Sequence, residues 1–115
     1  MQKQGVKIWV DDVRPAPDGY VWCKSVNEAI DTFSVYVAAY IGGNNNHEVT
    51  LIDLDHDAGT FYSEGGDYIK FLDWLEANKE TFGEYIPPIK IHSMNPVGRD
   101  NMRRIIQKNG WVEAF

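Results

Sequence analysis

The chain has one cysteine, Cys23, so neither an intrachain disulfide nor a cysteine metal cluster can form. Cysteine-poor chains suit a reducing compartment, and the expectation is a cytoplasmic protein. Long apolar runs are missing too. None approaches the roughly 18 residues that a membrane helix needs, and the stretch after Met1 lacks the apolar core and small-residue cleavage site of a secretory leader. No membrane partner is expected. Positive charge is also scarce: 11 Lys and Arg stand against 17 Asp and Glu, a net charge of −6. That balance argues against broad binding of duplex DNA but leaves room for a local anion site. Neither the phosphate-loop glycine motif nor the dinucleotide glycine motif occurs, so nucleotide folds of those kinds gain no support.

What is present is an ordinary globular composition, 43% hydrophobic and 24% charged, in 115 residues. A chain of this length suits one domain, residues 1–115, with a single core. There is no internal repeat and no interdomain linker. Val6 to Val10 reads as a buried strand that stops at Asp11-Asp12. Pro15 and Pro17 exclude a helix after it. Tyr20 to Lys24 reads as a second strand. Ser25 and Glu28 have capping-box spacing, and Val26, Ala29, Ile30, Phe33, Val37, Tyr40 and Ile41 recur at helical intervals. Glu48 to Leu54 is the next strand, and Asp67 to Asn78 the next helix. Ile89 to Ile91 is a short strand, Asn95 and Pro96 open a helix that runs to Lys108, and Trp111 to Phe115 closes the chain as a strand. Strands alternating with helices predict an α/β fold with a mostly parallel five-stranded sheet and helices on both faces. The first connection is too short for a helical crossover. The second strand is either antiparallel to the first or reached by a bare loop, and the sequence leaves both open.

In an open α/β sheet, ligands bind beyond the carboxyl ends of the strands. Three such ends carry polar residues: Asp11, Asp12 and Arg14; then Asp53, Asp55, His56 and Asp57; then His92, Ser93 and Asn95. Carboxylates gathered in one crevice repel, which favours Mg²⁺ or another divalent cation. Asp11, Asp12 and Asp55 are the candidate ligands, and no organic cofactor is implied. His56 and His92 are the acid–base candidates, because imidazole titrates near neutrality. Ser93 is a candidate phosphate donor or nucleophile, with a simple turn as the alternative. Asn95, Gly98 and Arg99 lie at a helix start, where free N–H groups and the dipole attract phosphate, and Arg14 can approach from the other side. Arg99, Arg103, Arg104 and Lys108 otherwise read as a solvated helix face.

The acidic pair after the first strand, the aspartate after the third and the hydroxyl residue after the fourth resemble a receiver domain, the flavodoxin-like fold of response regulators. That resemblance implies metal on Asp11 and Asp12, a phosphoryl acceptor at Asp55 with Asp53 as the register alternative, and Ser93 at the hydroxyl position. The first crossover helix, the last helix and the lysine of receivers are missing. A closer resemblance lies in Asp11-Asp12-Val13-Arg14-Pro15-Ala16-Pro17, Leu54-Asp55-His56-Asp57 and His92-Ser93-Met94-Asn95-Pro96-Val97-Gly98-Arg99. These strings are similar to the cyclic-phosphate-processing receiver-like family. The resemblance implies a phosphoesterase that acts on a cyclic nucleotide or an RNA 2′,3′-cyclic phosphate end, with a small phosphate ester or RNA end as partner. The alternative is a non-catalytic, degenerate receiver for signalling or nucleotide sensing. The sequence leaves the oligomeric state open.

Overall fold

Burial alternates along strand β1 (Val6–Val10): Val6, Ile8 and Val10 are buried, whereas Lys7 is exposed and Trp9 partly so. This period-two pattern places the core on one side of the sheet. The computed structural model describes residues 5–115. The remaining strands are β2 (Tyr20–Cys23), β3 (Val49–Leu54), β4 (Ile89–Ile91) and β5 (Glu113–Ala114). They lie in the order β2-β1-β3-β4-β5. Every neighbouring pair is parallel, with Ile8 opposite Val21 and Ile52, Leu54 opposite Ile91, and Ile89 opposite Glu113. This is the flavodoxin-like order of a receiver fold.

The direction of β2, open in the sequence, is therefore parallel to β1. A bare loop suffices because residues 11–19 reach up to about 30 Å when extended, and the return along a strand of five residues is about 16 Å. Pro15 and Pro17 favour that extended path.

The helices are α1 (Val26–Ile41), α2 (Ile69–Ala77), a single turn α3 (Lys79–Phe82) and α4 (Pro96–Lys108), with 3₁₀ turns at Asn45–His47, Gly59–Glu64 and Gly83–Tyr85. Ser25 Oγ accepts the Glu28 N–H at 3.0 Å, and the Glu28 carboxylate accepts the Lys24 N–H, so α1 starts where the capping spacing predicts. Helix α2 begins two residues later than expected. The Asp67 carboxylate instead accepts the Ala58 N–H and closes the preceding loop.

Helices were expected on both faces, and here the structure differs. Phe33 of α1, Phe71, Leu72 and Leu75 of α2, and Met102 and Ile106 of α4 share one core with Ile8, Val10, Ile52, Leu54 and Ile89. The reason is handedness. The steps β2 to β3, β3 to β4 and β4 to β5 all move the same way across the sheet, so right-handed crossovers stack their helices on one side. Only β1 to β2 steps the other way, and it carries no helix. Lys7, Trp9, Tyr20, Trp22, Leu51 and Lys90 alternate onto the opposite face, and no helix among the described residues covers it. None of the helices among the described residues is long and apolar enough to cross a membrane.

Candidate functional site

The carboxyl ends of β1, β3 and β4 meet at His92. Its Nδ1 lies 2.6 Å from Asp53 Oδ1 and its Nε2 lies 2.9 Å from Asp11 Oδ2. Asp11 and Asp53 are 1% and 2% exposed, and the ring is stacked flat on Trp9 at 3.9 Å between centroids. The parallel register explains the convergence: Trp9 pairs with Asp53, and Asp53 pairs with Lys90, two residues before His92. Trp9, Asp53 and His92 thus sit side by side on the face away from the helices.

A carboxylate at each ring nitrogen requires the ring to donate twice, which only imidazolium can do. Burial by itself would lower the His92 pKa, but the hydrogen bonds and charges of Asp53 and Asp11 outweigh it and raise the value above that of a free imidazole. For Asp11, burial pushes upward, yet the Arg14 and Val13 N–H groups and His92 hold its carboxyl below the ordinary range. The two carboxylates therefore favour the protonated form of His92 among the strand ends.

The acidic side is incompletely compensated. Asp11, Asp55 and His92 each present a ligand atom within 4.8 Å of the others. Burial first, then the charges of Asp11 and Asp55, raise the Asp12 pKa. One Asp55 oxygen accepts the His56 N–H at 2.8 Å. Asp11 is more heavily used, accepting from Val13, Arg14 and His92. Asp12 and Asp55 consequently hold the most available oxygens. Crowded carboxylates of this kind fit a hard divalent cation, with Asp11 completing the set.

His56 is held differently from His92. Its Nδ1 lies 2.8 Å from Asp57 Oδ1, and among the described residues no bond is made to its Nε2. The ring packs on the first turn of α4, where a methyl group added to Gly98 would meet its Cγ at 2.5 Å. Glycine at this position is what allows imidazole and helix to approach. His56, Asp57 and Asp67 form a second group of potential ligand atoms within 4.8 Å of one another.

The other sequence candidates lie as follows. Arg14 is at the site mouth, with its guanidinium 3.4 Å from the His92 carbonyl. Ser93 is buried, and its hydroxyl accepts the Asn95 N–H at 3.0 Å, the turn arrangement rather than a solvent-facing nucleophile. Asn95 caps α4 by accepting the Gly98 N–H at 3.0 Å. The Arg99 N–H is bonded to the Asn95 carbonyl, and Pro96 has no N–H to offer. The helix start is thus mostly satisfied internally, leaving little backbone for a phosphate. The Arg99 side chain is exposed and has no carboxylate partner among the described residues. Arg103 is committed to Glu113 at 2.8 Å.

Sequence reasoning missed Trp9 as the platform under His92, Asp53 as its second carboxylate and Asp57 as the anchor of His56. A carboxylate inside a β-branched run was the available signal for Asp53, because a buried strand tolerates one only with a partner.

Residues 6–108 match the family model described as the cyclic-phosphate processing receiver domain. No curated protein and no solved structure matches the chain. The parallel sheet, its strand order and the match over nearly the whole chain agree: the chain belongs to the cyclic-phosphate processing receiver domain family.

Proposed function

We propose that this domain is a phosphoesterase that opens a cyclic phosphate by adding water across one ring P–O bond. One observation carries the reading: the two imidazoles are held in different ways. His92 has a carboxylate on both ring nitrogens, which favours its protonated form, whereas among the described residues His56 has a carboxylate on one nitrogen and no bond to the other. Paired groups in contrasting surroundings divide into an acid and a base.

In this scheme the His56 ring donates its Nδ1–H to Asp57, so Nε2 is the atom that takes a proton from water. The oxygen of water bonds to phosphorus. The ring P–O bond breaks, and its electron pair stays on the leaving oxygen. His92 delivers the Nε2 proton to that oxygen, exchanging its bond to Asp11 for one to the product alcohol. The product is a phosphate monoester. Arg14 and Arg99 balance charge on the non-bridging oxygens. Asp12 and Asp55, with Asp11, would hold a divalent ion that neutralises phosphate charge. Ser93, Asn95 and Gly98 shape the turn that seats His56.

The rival is a non-catalytic phosphate or nucleotide sensor of receiver descent. It is favoured by the double tethering of His92, which also serves as a purely structural use of an imidazole. The test offers 2′,3′-cyclic nucleotides, 3′,5′-cyclic nucleotides and acetyl phosphate to the purified protein, with and without Mg²⁺. Turnover of a cyclic ester that falls at least about 100-fold in His56→Ala is expected, on the usual weight of a general base. Absence of turnover, with stable phosphorylation at Asp55 by acetyl phosphate, would establish the sensor instead.

A further inference from the structure

The sheet face that carries no helix has an unusual lining. Lys7 lies between Tyr20 of β2 and Leu51 of β3 in the register, and Trp9 lies between Trp22 and Asp53. Lys90 follows on β4. The Lys7 ammonium sits 5.2 Å from the Tyr20 ring centre, and the Lys24 ammonium 4.5 Å from that of Trp22. Both indole N–H groups are already used, Trp9 on the Arg14 carbonyl and Trp22 on the Asp11 carbonyl, each at 2.8 Å. What these residues still offer a partner is ring surface and positive charge.

On the helices, Lys70, Arg103 and Lys108 pair with Asp73, Glu113 and Glu76, while Lys79, Arg99 and Arg104 have no carboxylate partner among the described residues. Lys7, Arg14, Lys24 and Lys90 have no carboxylate partner among the described residues, in a chain whose net charge is −6. A helix laid over this face would bury the Lys7 ammonium without compensation, which is strongly unfavourable. An occupant with flat rings and a negative backbone meets both features.

We propose that this face binds the single-stranded end of a polynucleotide, with bases on Tyr20 and Trp22 and phosphates at Lys7, Lys24 and Lys90. Base stacking on aromatic side chains beside basic groups is the general means of holding single strands. The face is continuous with the strand-end site through Trp9, which stacks on His92 and touches Tyr20 edge-on. A strand lying on the sheet therefore delivers its terminal phosphate to Asp55 and His92. This placement of the end rests on the phosphate reading above; the binding face does not.

The test is fluorescence anisotropy of the full chain with 5′-labelled hexauridylate, as the 3′-hydroxyl and as the 2′,3′-cyclic phosphate, against an equal-length RNA duplex. Tight preference for the single strand is expected. Lys7→Glu should weaken it at least about fivefold, and Trp22→Leu about tenfold or more, from the usual weight of one stacked base. Lys7 is exposed, and among the described residues its ammonium touches only the Tyr20 ring and makes no ion pair, so its variant reports the face even if the Trp22 variant unfolds. Binding with log–log salt dependence near −2 fits about three phosphate contacts. Equal binding of the duplex, or single-strand binding untouched by Lys7→Glu, overturns the proposal. So does a dimer in sedimentation that Lys7→Glu disperses, because the occupant is then a second chain. Turnover of a mononucleotide without oligonucleotide binding sinks this inference alone; oligonucleotide binding without turnover sinks only the phosphoesterase.

Discussion

Replacing Asp53 by Asn isolates the charge on one side of His92. The substitution keeps an acceptor and removes the negative charge 2.6 Å from Nδ1, at a position 2% exposed. Losing one partner of a buried ion pair outright costs about 3–5 kcal/mol. Here the amide still bonds the ring, and Asp11 still faces Nε2 at 2.9 Å. The loss is then closer to that of one charge-assisted hydrogen bond, about 1.5–3 kcal/mol. At a urea slope of about 1–3 kcal/mol per molar, the unfolding midpoint should drop by roughly 1 M. The pH dependence has a definite sign. His92 has a raised pKa in the folded state, so its contribution is complete below about pH 6.5 and fades as pH rises through the folded value. Asp11 has a lowered pKa, so its share is present above about pH 4 and fades as pH falls through its own folded value. The penalty of Asp53→Asn should be greatest near pH 6 and diminish towards high pH. Urea unfolding of chelator-treated protein from pH 6 to pH 10, with NMR titration of the His92 ring, measures both. A penalty that does not vary with pH, or a wild-type His92 midpoint below that of free imidazole, would refute the charged-ring account.

Asp12→Asn should stabilise the metal-free protein at neutral pH by under about 1 kcal/mol, since a partly exposed carboxylate repelled by Asp11 and Asp55 is removed. The gain should vanish below pH 4, and the thermal stabilisation by Mg²⁺ should shrink in the same variant; calorimetry reads both. Gly98→Ala drives a methyl group into the His56 ring, and loss of at least about tenfold in cyclic-ester turnover is expected with the fold intact by circular dichroism. Asn95→Ala removes the cap of α4 and should cost about 1 kcal/mol in chemical unfolding.

Much of this architecture was legible because local chemistry and tertiary structure agree. Ser25 and Asn95 cap helices where their spacing says they should, and the apolar repeat from Val26 to Ile41 needs only a sheet to lie on. The direction of β2 was not legible, because a proline-rich stretch of residues 11–19 reaches both a parallel and an antiparallel neighbour. Nor was the one-sided helical layer, which follows from strand order rather than from any local signal. At the site, strand-end logic brought Asp11, Asp55 and His92 to one place. It could not reveal that Trp9 lies under His92, since a tryptophan alternating with valines reads equally as core. The helix start drew attention for its free N–H groups, yet Asn95 consumes the Gly98 donor, a use visible only in three dimensions.

The position of β1 between β2 and β3 has a consequence for synthesis. Its flanking partner β3 lies more than thirty residues downstream, with Ile8 opposite Ile52, and His92 arrives later still. On the ribosome, Asp11 and Asp53 are made long before the imidazole that bonds to both. A nascent chain halted before β4 would carry a pair of like charges at its strand tips, and these are bridged only once His92 has been made.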